Sequence, residues 1–122
     1  MVRRISKTLC SALLLAALPA TAALADTAGK PGRITELRIT AQASTQHASF
    51  HGRVTLRRPG ANASEQYHWG GSMCPGQRLS DAQVAILVSV IQNRTRTMIA
   101  PHYLEGEGTG TKCIVAFDLV AS

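Results

Sequence analysis

The chain has 122 residues, with 13 Lys and Arg against seven Asp and Glu, and three cysteines. That length supports one modest hydrophobic core and excludes a multidomain assembly. Because Arg3, Arg4 and Lys7 stand at the very start, ten basic residues face seven acidic ones from Asp26 onward, an excess too small to be a strong nucleic-acid signal.

The first 25 residues read as a cleavable secretory signal. Arg3, Arg4 and Lys7 form a positive n-region, an apolar run extends from Leu9 through Leu18, and Pro19 precedes the small-x-small site Ala23-Leu24-Ala25. The apolar run is about 10 residues, half of the ~20 needed to span a bilayer. Cleavage would leave a chain starting at Asp26, exported to the periplasm or the extracellular space, with no membrane span. Residues 26–32 (DTAGKPG) form a leader with little to bury, and residues 33–122 form a single α+β domain.

In that domain Leu37, Ile39 and Ala41 alternate with polar neighbours, as a half-buried strand does. A second alternation runs from Ala48 through Leu56, placing His47, His51, Arg53 and Arg57 on the opposite, solvent face. Pro59-Gly60-Ala61-Asn62 ends it. A short strand through Tyr67, His68 and Trp69 leads into a glycine-permitted turn and Cys74. Ser80 and Gln83 compose a helix capping box, Leu79 is placed to staple onto Val84, and the helix is expected to reach about Arg94.

The apolar face of this helix is wide. Val84, Leu87, Val88 and Ile91 make one stripe, and Ile86 and Val90 broaden it. Either the domain covers that extra width or Ile86 and Val90 form a homodimer contact. Beyond the helix, Met98 to Leu104 read as a strand that Pro101 confines to an edge or bulged position. Residues 112–121 (KCIVAFDLVA) are apolar on both faces, as a central strand is. The expected fold is therefore β-β-β-α-β-β, a small antiparallel sheet of about five strands covered by one helix. Once the signal is removed, Cys74 and Cys113 can pair only with each other inside the chain, and an exported domain favours the bridge.

Few residues carry chemistry. Glu105 to Lys112 superficially suggests a phosphate loop, but Thr111 separates Gly110 from Lys112 and a strand follows rather than a helix. His47 and His51, both on one strand, would lie about 13 Å apart, too far to share a metal. His68, between two aromatic residues, is the best single site candidate. No nucleophile elbow or carboxylate pair is present, so neither a metal nor a cofactor is expected. The reading is a non-catalytic binding domain, an inhibitor or immunity-type protein acting on another protein. Its contact residues would come from His47, His51, Arg53, Arg57, Tyr67, His68 and Trp69. A structural subunit of an envelope assembly, or a small exported enzyme using His68, are the alternatives.

Overall fold

A computed structural model of the protein describes residues 25–93 and 96–121. The expected signal segment up to Leu24, and Arg94 at the expected helix end, lie outside the described residues. The elements follow the order β1 (Thr27–Ala28), β2 (Arg33–Ile39), a 3-10 turn (Thr45–Ala48), β3 (Gly52–Arg57), β4 (Ser64–Trp69), α1 (Asp81–Gln92), β5 (Thr97–Glu105) and β6 (Lys112–Ala121). The α+β class, one α-helix and the Cys74–Cys113 disulfide are present among the described residues.

The sheet differs from expectation. It has six strands in the order β1-β5-β6-β4-β3-β2, and it is mixed, because β6 runs parallel to β4. The reason lies in the connections. Helix α1 carries the chain from β4 to β5, and the β5–β6 hairpin then turns back, so β6 enters beside β4 in the same direction. β6 accordingly lies inside the sheet, as its two apolar faces require.

The two ends of the sheet are successive stretches of one segment. Thr27 and Ala28 pair with Tyr103 and His102, and the Gly29 N–H donates to the Pro101 carbonyl. Gly32 then exchanges two hydrogen bonds with Ile99 before β2 turns away to pair with β3. The sheet thus curls until its first strand touches both β3 and β5, forming a five-stranded barrel if β1 and β2 are counted as one bent strand. Among the described residues, regular structure therefore begins at Thr27, inside the segment read as a leader. Pro101 is accommodated because its missing N–H faces this short, irregular pairing rather than the long β6 ladder.

The barrel interior holds Val54, Leu56, Tyr67, Trp69, Ile99 and Ile114. Leu79 and Leu87 from the helix side complete this buried cluster, with Val84 and Val90 packed against it. The Ser80 hydroxyl accepts from the Gln83 N–H, and the Gln83 side chain returns the bond to the Ser80 N–H, which starts α1 where the capping box indicates. Val90 is thus partly covered by the domain itself, whereas Ile86 remains 42% exposed. No helix among the described residues is long and apolar enough to cross a membrane.

Candidate functional site on the outer face of β2, β3 and β4

On β3, Val54 and Leu56 point into the barrel, so Arg53, Thr55 and Arg57 point outward. Antiparallel register places directly opposed residues on the same face. The outer surface therefore carries three rows: Arg38, Arg53 and His68; Glu36, Thr55 and Gln66; Arg33, Arg57 and Ser64. A bulge at Thr35 shifts the register between the second and third rows, and the Thr35 hydroxyl donates to the Thr55 carbonyl at 3.3 Å.

The first row is the most constrained. Arg53 Nη2 donates to Glu36 Oε1 at 2.5 Å, and its guanidinium lies 6.0 Å from the Phe50 ring centroid. Phe50 in turn meets the His68 ring edge-on at 5.1 Å. Arg38 donates to Gln46 Oε1 at 3.1 Å. Arg53 Nε, Thr55 Oγ1 and His68 Nδ1 are buried yet have no hydrogen-bond partner among the described residues. Leaving such a group unsatisfied costs roughly 1–3 kcal/mol, and here three occur at neighbouring positions of one face. A cavity of about 370 Å³ adjoins His68, bounded by Ser64 to Gln66 and His68 on one side and Thr109 to Lys112 of the β5–β6 turn on the other.

Burial, then the adjacent Arg53 charge, hold the His68 imidazole below its ordinary pKa. Its neutral form is favoured in the folded protein, so this group's stabilising share is present above the unfolded imidazole pKa and is lost as pH falls towards the folded value. His102 behaves oppositely. Its Nε2 lies 2.8 Å from Asp118 Oδ2 and its Nδ1 3.6 Å from Asp26 Oδ1, and the Asp118 hydrogen bond raises its pKa. Its share is complete below the unfolded pKa and is lost as pH rises through the raised value. In a proton NMR titration the His68 ring is expected to titrate below the ordinary imidazole range and His102 above it. Arg53→Met is expected to move His68 upward, and identical midpoints for the two rings would refute the assignment.

The remaining sequence candidates lie elsewhere. Tyr67 and Trp69 are buried in the barrel interior; the Tyr67 hydroxyl donates to Glu65 Oε2 at 2.7 Å, and burial pushes its pKa upward. His47 and His51 do not share a strand face. His47 sits in the 3-10 turn capped by the Ser44 hydroxyl, and the Thr40 hydroxyl lies 2.9 Å from the Phe50 carbonyl and 3.0 Å from that of His51. These bonds fold the segment so that the two rings stack with centroids 4.2 Å apart, not 13 Å. They line a separate cavity of about 310 Å³ with Thr40, Trp69 and Arg78. Burial, then His47 and Arg78, lower the His51 pKa.

Arg53, Arg57 and His68 are the candidates that the sheet brings to one face. Thr55 and Gln66 were missed because cross-strand register, which no single segment encodes, sets them beside Arg53 and His68, and Phe50 because the 3-10 turn before β3, not strand alternation, places its ring. No carboxylate hydrogen-bonds to His68 among the described residues, and no group of three or more His, Cys, Asp and Glu there is placed to hold a metal ion. What the face offers is directed hydrogen bonds, two signs of charge and one aromatic edge. The chain matches no protein-family model, no curated protein and no solved structure.

Proposed function

We propose that this chain is an exported, non-catalytic binding domain that engages another protein through the outer face of β2, β3 and β4. The observation that carries the reading is the clustering of three unsatisfied buried polar atoms, on Arg53, Thr55 and His68, within two adjacent rows. These atoms have almost no accessible surface, so a partner recovers the hydrogen bonds that folding leaves unmade by displacing the side chains that cover them as it docks. Arginine beside an aromatic ring is a frequent composition at contact hot spots, and the mixed charge of Arg38, Glu36 and Arg53 suits a protein surface. Five-stranded Greek-key barrels such as OB-folds also use the face of their second and third strands for ligands, which correspond here to β3 and β4; this analogy concerns the fold alone. The disulfide fits an oxidising compartment, in keeping with export.

The test is cross-linking of the native protein in its exported fraction, followed by mass spectrometry. One stoichiometric protein partner is expected, with cross-links and amide-exchange protection on residues 36–38, 53–55 and 66–68. Arg53→Ala combined with His68→Ala should reduce its capture by roughly a hundredfold, since truncating hot-spot residues costs 2 kcal/mol or more. Undiminished capture by the folded double variant overturns the site. Self-association without any other partner overturns the function and favours a structural subunit.

A further inference from the structure

The far end of the same outer face, in the row of Arg33, Arg57 and Ser64 that the protein contact proposed above does not use, carries a different chemistry. Where β3 ends, a cavity of about 390 Å³ is lined by Arg33, Arg57 and Arg58 and by the turn from Pro59 to Asn62. Arg33 and Arg57 are direct cross-strand partners, an arrangement of like charges that destabilises a sheet unless something neutralises it. No carboxylate lines the cavity, and none of the three arginines is in an ion pair among the described residues. Arg57 Nε donates to the Ala61 carbonyl at 3.0 Å, which holds the guanidinium against the turn. The turn is itself closed by the Ala61 N–H on the Arg58 carbonyl, with Gly60 at φ 77°.

The charge does not stop at this cavity. Arg58 also lines an adjoining one of about 290 Å³, together with Lys30, Lys112 and Glu65. Glu65, the acid there, is engaged by the Tyr67 hydroxyl at 2.7 Å and by Lys112 Nζ at 3.6 Å. The joined clefts thus present five cations and one committed carboxylate.

We propose that the Arg33–Arg57–Arg58 cleft binds the phosphate or sulfate ester of an acidic saccharide, whose chain continues past Arg58 towards Lys30 and Lys112. Guanidinium groups present paired donors that match tetrahedral oxyanions, and three of them around one cavity exceed what a single carboxylate requires. Single-stranded nucleic acid is the less suited occupant, because no aromatic ring lines the arginine cavity, and of the two that line the adjoining one Tyr67 is fully buried and Tyr103 has Lys112 Nζ 5.2 Å from its ring centroid. Its other lining groups, the turn backbone and the Asn62 amide, suit sugar hydroxyls.

The test uses the oxidised protein and a sulfated heparin-derived hexasaccharide, followed by calorimetry and by amide resonances. Binding is expected to shift Gly60 and Ala61 most, and to weaken roughly tenfold in Arg33→Gln and in Arg58→Gln, the loss of about one charged hydrogen bond each. Neither side chain makes a hydrogen bond within the described structure, so both variants should fold. Arg78→Gln, the same charge change in the His47–His51 cavity, should leave affinity within about twofold, the scale of a screened distant charge. An equal loss with Arg78→Gln, or no shift at Gly60 and Ala61, overturns the site. Inorganic sulfate binding as tightly as the hexasaccharide overturns the saccharide, and a tighter single-stranded oligonucleotide replaces it with nucleic acid.

Discussion

Replacing both Cys74 and Cys113 by Ala is expected to lower the unfolding free energy by about 4 kcal/mol, the chain-entropy value for a loop of this length. The two residues are 39 positions apart, and both are fully buried. The bridge joins the turn after β4 to the start of β6, where the Glu107 N–H also donates to the Met73 carbonyl. Small domains have ~5–15 kcal/mol in total, so the loss would be a large part of the whole. Urea denaturation should show a clearly lower midpoint for the double variant, and neither thiol of the unreduced wild type should react with iodoacetamide. A midpoint within 0.3 M of wild type, or rapid labelling of either cysteine, would contradict the stabilising role.

Gly52→Ala is expected to destabilise by roughly 1–3 kcal/mol or more, the usual range for overpacking a closed core. Ordinarily Gly→Ala stabilises slightly, by restricting the unfolded chain. Here the sign reverses because a methyl group on Gly52 would occupy the space of the Trp69 ring, which lies directly over it. Trp69 is Gly52's cross-strand partner and is 3% exposed, so the ring can move aside only by disturbing the packed core around it. Trp69→Ala alone should cost about 3–5 kcal/mol through the cavity it leaves. Gly52→Ala made in that background should then be nearly neutral, and a double-mutant cycle reads the difference as coupling. Additive effects in the cycle would remove the contact from the account.

What could be read in the sequence was whatever depends on neighbours a few positions apart. The Ser80–Gln83 box acts over three residues, and the apolar sides of residues 113–120 mark an interior strand without reference to any other segment. The cysteine pairing followed by elimination. Three features were beyond reach for related reasons. The parallel β4–β6 contact exists only because α1 and β5 intervene. β1 is held by main-chain bonds that leave no side-chain pattern in Thr27 and Ala28. The apparent alternation at His47 to His51 failed because Thr40 and Ser44 offer hydroxyls to the backbone, and a 3-10 turn satisfies them where an extended strand would not. At the candidate site, alternation exposed Arg53 and Arg57, yet the juxtaposition with Thr55 and His68 required the register of two hairpin partners.

The stitch between the N-terminal segment and β5 also sets a timetable. Thr27 pairs with Tyr103 and Gly32 with Ile99, so residues made early in synthesis must wait for nearly the last strand. Pairings of such high sequence separation form late and slowly, since loop-closure entropy is lost before any contact compensates it. During that interval β2, β3 and β4 can assemble as a meander, but β5 has no occupant for its outer edge and the barrel stays open. An unpaired edge is a template for association with other chains. The vulnerable species is therefore the nascent meander, and a side chain added at Gly29, where it would meet Pro101 and the Tyr67 hydroxyl, would both weaken the finished stitch and prolong that exposure.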